Sequence, residues 1–416
     1  MKRERQPIPV FDALQRVMKY EKKGPIEYVP IEEAYRRILG KDIVADHDVP
    51  AFDRSPYDGY AIRACDTNGA AEQTPITLEV VGHIGAGSRY EKELKANQAV
   101  RIMTGAELPI GADAVIMLED TEVHESTQTY VDIKRTLHSE QNISFQGEDI
   151  AKGDVLLERG TRLHPGMIAL LATFGYAQVP VVKQPIVGII ATGNELLEVD
   201  QPLEPGKIRN SNAYTLIAQV KRAGGLPIYF GQLSDQVDSS VERIREAMNQ
   251  VDFFITTGGV SVGDFDLLPD ILEAIQADVL FNKIAMRPGS VTTVAHANDT
   301  LIFGLSGNPS ACYVGFELYL RPVIDQFLQK HQFGLPKSKA RLAVDFPKAN
   351  PFDRFVRGFV KVNDTRYMVE PAGKDKSNMV HSLSAANCLI YLPGGTQGYQ
   401  KGDVVDIFML DSEMIS

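Results

Sequence analysis

Between residues 256 and 266 the chain reads TTGGVSVGDFD, with three glycines within six residues followed by Asp264 and Asp266. A simple turn needs one glycine, or two. The surplus of Gly258, Gly259 and Gly263 implies a backbone held close to another group, with carboxylates beside it. Three further stretches share this character: ATGNE at 191–195, GQLSDQ at 231–236 and LSGNPS at 305–310. Each is polar, and each supplies a carboxylate or a helix start. Any one of them could be an ordinary strand-to-helix turn, where Gly and Asp serve as turn and cap residues. Four on one rim favour a ligand site.

LSGNPS is informative in detail. Asn308 suits an N-cap and Pro309 the first helical position, so Gly307 and the cap should leave N–H groups facing outward. With the positive end of the helix dipole, that makes an anion site. The segment NKIAMRPGS adds Lys283 and Arg287, two cations four residues apart. They could serve the same anion or equally belong to a solvated face.

The elements that must position these residues follow from the pattern. From 184 to 330 the apolar runs PIVGIIAT, LPIYFGQL, VDFFITTGG and TLIFGLSG alternate with amphipathic stretches near 211–224, 237–250, 266–276 and 309–328. That alternation predicts a parallel sheet covered by helices on both faces, with ligands beyond the carboxyl ends of its strands. Up to about residue 182 the runs are short and broken, as in PAFDRSPYDGYAI and GADAVIML, which reads as mostly β with helices near 10–21 and 166–174. From about 336 the runs RLAVDF, RFVRGFVKV, ANCLIYLP and DVVDIFML predict a small separate β barrel or sandwich. The expected class is therefore α/β with mixed α+β and all-β domains, around a central doubly wound, mostly parallel sheet.

Composition bounds the function. The chain has 416 residues, enough for roughly three domains. No apolar run approaches the ~20 residues of a membrane helix, and the basic start MKRERQPIPVFDALQ has no apolar stretch after it, so neither a membrane span nor a signal peptide is expected. Three scattered cysteines without a C-x-x-C pair point to a reducing cytoplasm and away from structural zinc. A net charge of −11 argues against a nucleic-acid partner. The phosphate-loop, dinucleotide and HExxH motifs are missing.

PAFDRSPYDGYAI, RIMTGAELPIGADAVIMLED, QGEDI, ATGNEL, TTGGVSVGDFD, KIAMRPG and SGNPSA occur in this order. Together they closely resemble the molybdopterin molybdenumtransferases of molybdenum-cofactor biosynthesis, the family that includes the C-terminal half of gephyrin. The resemblance covers essentially the whole chain. It implies that adenylylated molybdopterin and molybdate react with Mg²⁺ to give the molybdenum cofactor and AMP. It also implies an elongated homodimer, with a site between the α/β domain of one subunit and the DGYA/MTGA domain of the other. A contact with the molybdopterin adenylyltransferase that makes the substrate is expected too. Asp58, Thr104, Glu195, Asp235, Asp266, Lys283, Arg287 and Pro309 carry the family's roles onto this chain.

In that reading Asp235, Asp266 and Glu195 are oxygen ligands suited to Mg²⁺ against a pyrophosphate. Gly258, Gly259, Ser261 and Gly263, with Gly307 and Asn308, bring backbone to the substrate, while Lys283 and Arg287 neutralise molybdate or phosphate. The expected division is an N-terminal mixed domain (1–50 with 147–183), an inserted β-rich domain (51–146) carrying DGYA and MTGA, an α/β domain (184–332) and a C-terminal β barrel (336–416).

The chain departs from the family pattern at Ser306, often proline, at Ser290, often lysine, and at Ser144, Phe145 and Gln146, where arginines are usual. These departures bear on anion affinity and on molybdenum against tungsten. Two other classes share features: the smaller molybdopterin adenylyltransferase, which lacks the DGYA/MTGA region and the β tail, and a gephyrin-like scaffold, against which the intact Asp58, Asp235 and Asp266 argue.

Overall fold

The computed structural model of the protein describes residues 6–123, 129–233, 237–259, 267–363 and 366–410. The chain divides into two compact units, one of residues 42–158 with 166–177 and one of 1–41, 159–165 and 178–416.

The larger unit is built on a six-stranded sheet. Its order is Leu226–Leu233, Ile186–Thr192, Phe253–Thr257, Thr300–Leu305, Thr293–Ala297, Asp278–Phe281. The first four strands are parallel, and Thr293–Ala297 runs antiparallel to both of its neighbours. The strands bury side chains on both faces in alternation. Phe253 and Ile255 join one core with Val187, Ile189, Leu301 and Phe303, whereas Phe254, Ile190 and Ile302 join the other. Burial on both faces is why these strands read as continuous apolar runs.

Helix Ser211–Ala223 and the helical stretch 309–327 cover the first face. Helices Val237–Met248 and Leu268–Ala274 cover the second. Helix Ser211–Ala223 starts where Asn210 caps it, its side chain accepting from Ala213 N–H at 3.1 Å, and ends at Gly224 in the left-handed region (φ 103°). In the stretch 309–327 a π turn, Phe316–Leu320, separates two α-helical turns. That turn carries Glu317, whose side chain is fully buried. Arg321 donates to Glu317 at 3.1 Å, Gln219 donates at 2.7 Å, and Arg222 pairs with it as well. The buried charge is thereby compensated on three sides and ties the two helices that start at the site.

Thr293–Ala297 and Thr300–Leu305 form a hairpin absent from the sequence expectations. Its tip is Asn298-Asp299, both with positive φ (48° and 60°). That two-residue turn matches the right-handed strand twist.

The C-terminal region of this unit closes on itself as a five-stranded barrel. Asp353–Asn363 pairs with Arg366–Pro371, which pairs with Lys337–Leu342, then Val404–Met409, then Cys388–Leu392, and back to Asp353–Asn363. The interior is apolar, with Val356, Val360, Val369, Ile390 and Ile407. A short strand from the α/β region, Met286–Arg287, pairs parallel with Asp353 and Arg354 on its outside.

The smaller unit contains a six-stranded sheet in the order Ala114–Met117, Gly59–Ile62, Gln98–Ile102, Ile76–Ile84, Tyr130–Ile133, Thr121–Val123. A Cβ on Gly59 would collide with the carbonyl oxygen of Ile116 on the neighbouring strand, so glycine is obligatory at the start of GYAI.

Candidate functional site

The parallel register sets Ala191 beside Thr257, Thr257 beside Leu305 and Thr192 beside Leu233, so the loops that follow these strands open on one rim. Gly258 and Gly259 both have positive φ (89° and 62°). Gly258 donates its N–H to Leu305 O at 3.1 Å, and a Cβ there would collide with the Thr192 carbonyl and stand 2.9 Å from Thr192 Oγ1. Gly258 therefore lies close against the end of its neighbour strand. Gly307 comes against it, since the space for its Cβ is 3.6 Å from Gly258 Cα.

One buried carboxamide holds the two loops together. Asn212 Nδ2 donates to Thr257 Oγ1 and to Gly307 O, both at 3.0 Å. Thr257 Oγ1 is also 3.6 Å from Cys312 Sγ, and burial pushes that thiol up to about 12, leaving it neutral. The Glu195 loop is pinned separately. Ile208 N–H donates to Glu195 O at 2.8 Å, Lys207 bonds Asn194 O, and Gln232 bonds Gly193 O. The Glu195 carboxylate itself is exposed.

Beside this rim lies a cavity of about 490 Å³, shared between the α/β region and the barrel. The α/β side contributes Arg287, Ser290, Ser306 and Asn308; the barrel contributes Arg354, Asp375, Lys376 and Ser377. Three cations against one carboxylate leave two positive charges in excess. Asp375 is moreover fully engaged, with Arg354 at 2.7 Å, Arg357 at 3.1 Å and Lys348 at 3.7 Å. Arg357 is only 2% exposed and acts as a post for the loop, donating to Lys376 O at 3.0 Å and to Ser382 Oγ at 3.3 Å. A dianion with several acceptor oxygens is the ligand this lining suits.

The helix start differs from its sequence expectation. Asn308 occupies the N-cap position but its side chain makes no capping bond. Its N–H donates to Ser306 Oγ at 3.2 Å, and Ser310 N–H donates to Ser377 O at 3.0 Å. The barrel loop covers the helix end and takes up N–H groups that the sequence alone leaves facing outward. The attraction for an anion therefore comes mainly from side chains.

In the smaller unit Asp58 ends the turn before Gly59–Ile62. Thr104 donates to its Oδ1 twice, from the backbone N–H at 2.7 Å and from the hydroxyl at 2.8 Å. Those two bonds, the backbone one foremost, with a smaller pull from Arg101, hold the exposed carboxyl below the usual carboxylate range. Asp58 and Thr104 are thus one element, an anion with a fixed orientation. Gln146, where arginine is usual, donates to Asp48 at 2.8 Å and braces its own loop.

Of the residues singled out from sequence, Glu195, Gly258, Gly259, Gly307, Asn308 and Pro309 share the rim, and Arg287 lines the cavity with Asn308. Lys283 is half-buried and does not line the cavity; its carbonyl accepts from Ile8 N–H at 3.2 Å. Asp235, Ser261, Gly263 and Asp266 lie outside the described residues. Among the described residues no cluster of three His, Cys, Asp or Glu forms a metal site, and the expected triad has only Glu195 there. Sequence reasoning missed Asn212 and the barrel's Arg354, Lys376 and Ser377. Two arginines within the apolar strand RFVRGFV, and the turn GKDKSN after it, were the available signal.

Comparison with known proteins follows the same outline. The chain matches the MoeA N-terminal region (domain I and II) over residues 8–175, the probable molybdopterin binding domain over 188–326 and the MoeA C-terminal region (domain IV) over 339–410. It is 57% identical over 414 residues to the molybdopterin molybdenumtransferase of Bacillus subtilis (strain 168), covering 99% of this chain and 96% of that one. The enzyme of the same name from Staphylococcus aureus (strain Mu50) is 48% identical over 411 residues, covering 99% and 97%. A crystal structure of the molybdopterin biosynthesis moeA protein from Pyrococcus horikoshii OT3 superposes with a TM-score of 0.80 at 32% identity, covering 97% of this chain and all of that one. With likeness of this order running from end to end, through rim, barrel and DGYA turn alike, the chain belongs to the molybdopterin molybdenumtransferase family.

Proposed function

We propose that the protein inserts molybdenum from molybdate into adenylylated molybdopterin, releasing AMP and giving the molybdenum cofactor. The observation that carries this reading is the cavity beside the glycine loop, whose lining has two positive charges in excess, the charge that a molybdate dianion would balance. Gly258 and Gly259 let the backbone approach the pyrophosphate of the adenylylated pterin. Arg287 and Arg354 draw the oxyanion toward it. Incubating the protein with adenylylated molybdopterin, molybdate and Mg²⁺ tests the reading. AMP should appear only when all three are present, and its absence would overturn the assignment.

Glu195, Asp235 and Asp266 are the residues proposed to hold Mg²⁺. Carboxylate oxygens are the donors this hard cation prefers, and the exposed Glu195 carboxylate is open to it. Bound there, the ion would neutralise charge on the pyrophosphate.

Arg287→Ala should separate the two substrates. A hydrogen bond to a charged group is worth about 1.5–3 kcal/mol, so molybdate affinity should fall roughly ten- to a hundredfold. Affinity for the adenylylated pterin, whose contacts are spread more widely, should change less. Titrating both ligands decides it, and an unchanged molybdate affinity would move the anion site elsewhere.

We further propose a cytoplasmic homodimer in which Asp58 and Thr104 of one subunit complete the α/β rim of the other, with the molybdopterin adenylyltransferase as a delivery partner. Among the described residues no helix is long and apolar enough to cross a membrane. If the site is shared, Asp58→Asn and Asp235→Asn proteins, each inactive alone, should regain activity when mixed, because each mixed dimer has one undamaged site. No recovery after confirmed subunit exchange would put both residues in one chain's site.

A further inference from the structure

The start of helix Ser211–Ala223 fastens the rim on two sides. Asn212, 9% exposed, donates both of its amide N–H bonds, one to Thr257 Oγ1 and one to Gly307 O, each at 3.0 Å. A carbonyl oxygen only accepts, so the bond to Gly307 fixes which way the carboxamide faces. Two residues earlier Asn210, 2% exposed, does the same for the Glu195 loop. Its backbone N–H donates to Leu197 O at 2.8 Å. Its Oδ1 accepts from Ala213 N–H at 3.1 Å, and its Nδ2 donates to Tyr229 Oη at 2.9 Å. The Tyr229 hydroxyl, accepting from Asn210, gives its own proton to Glu198 Oε1 at 2.9 Å. Burial, followed by the Glu198 carboxylate, raises the Tyr229 phenol above its usual range, so that proton stays in place at neutral pH. Residues two apart at a helix start face different sides. Here one side holds the loop of Glu195, and the other holds the loops of Gly258 and Gly307.

We propose that Asn210 and Asn212 are positioning residues that set the Glu195 loop against the two loops facing it, and so set the rate of the reaction rather than the affinity for its substrate. The inference rests on the reading that the rim holds the adenylylated pterin. Both amide N–H groups of Asn212 are engaged within the protein, as is the run from Asn210 through Tyr229 to Glu198. These side chains therefore act through the loops they hold. Glu195 comes from one loop, the backbone of Gly258 and Gly259 from a second, and Gly307 from a third. Binding adjusts to a small shift of a single loop, whereas the reacting atoms must meet at a fixed separation. A misplacement of about 1 Å costs about a hundredfold in rate.

The test compares wild type, Asn212→Leu, Tyr229→Phe and Glu198→Gln as full chains. AMP release is followed against adenylylated molybdopterin at saturating molybdate and Mg²⁺, and AMP alone is titrated by calorimetry. Leucine matches asparagine in shape and has no donors. Asn212→Leu should lower kcat by about a hundredfold, with KM and AMP affinity held within about threefold. Tyr229→Phe, which lacks one hydroxyl, should lower kcat by about tenfold. Glu198→Gln keeps an oxygen for the Tyr229 proton and turns its amide to Tyr214 Oη, 3.4 Å from the other carboxylate oxygen. Its rate should stay within about threefold of wild type. An unchanged kcat in folded Asn212→Leu or Tyr229→Phe protein, or a fall in kcat matched by an equal loss of AMP affinity, overturns the proposal and leaves the functional reading standing. A wild type that releases no AMP overturns both. Melting curves accompany each variant, and where Asn212→Leu melts far below wild type, Tyr229→Phe with its Glu198→Gln counterpart decides by the same split.

Discussion

Gly258→Ala should inactivate the enzyme and destabilise its α/β domain, while Gly307→Ala, on the facing loop, should fold like wild type. Gly258 sits at φ 89°, where an L side chain is strained, and its added methyl would collide with the Thr192 carbonyl. Both partners are backbone at the ends of neighbouring parallel strands, so neither can yield without shifting the register of Ala191 against Thr257. Strain of this kind costs about 1–3 kcal/mol before the collision is counted. A loss near 3 kcal/mol would lower the melting temperature by roughly 6–12 °C. The displaced turn also takes the backbone away from the substrate, where an error of about 1 Å can cost a hundredfold in rate. Gly307 has no positive φ, and its nearest neighbour would be at an ordinary 3.6 Å. Melting curves and AMP release for the pair distinguish the cases. A Gly258→Ala protein with wild-type melting and rate would mean the strand ends are looser than this packing implies.

Asp266→Asn should remove most Mg²⁺-dependent AMP release without unfolding the chain. If three carboxylates converge on one cation, each is kept ionised against its neighbours by that cation. Asparagine preserves the size of the side chain but offers a neutral oxygen, so the ion is held by two charges instead of three. Losing one such electrostatic contact at a reacting centre costs on the order of a hundred- to a thousandfold in rate. The requirement for Mg²⁺ should rise in parallel, and excess Mg²⁺ should restore part of the rate. AMP release measured across Mg²⁺ concentrations decides it, and wild-type rates at limiting Mg²⁺ would remove Asp266 from the metal site.

Much of the α/β architecture was legible because its rules are local. Phe253, Phe254 and Ile255 alternate between two apolar faces, and the glycines after them mark the strand end. Asn308-Pro309 marked a helix start, which the structure has at Pro309. TLIFGLSG is a strand of the parallel series, as expected, but the equally local hairpin through Asn298-Asp299 was overlooked, because the run VTTVAHA that pairs antiparallel with it received no reading. The cavity was half legible. Arg287 belonged to a loop already under suspicion, but Arg354, Lys376 and Ser377 reach it only because the barrel docks its side on strand Met286–Arg287. No periodicity announces such a contact between distant segments. The same docking explains why the helix start at Pro309 looked open in sequence and is covered in the fold, where Ser310 N–H donates to Ser377 O.

That short strand has a thermodynamic side. Met286 and Arg287 are part of the α/β region by sequence, yet they are stitched to Asp353 and Arg354 on the barrel. An oxyanion held between Arg287 and Arg354 would therefore act as a rivet across the seam. Whatever binds only the assembled form stabilises it by mass action, by about 2.7 kcal/mol at a ligand concentration a hundred times its dissociation constant. Here that stabilisation would add to the apolar packing that already joins Phe355 and Leu389 of the barrel to the α/β core, so ligand should raise the melting temperature of both regions together.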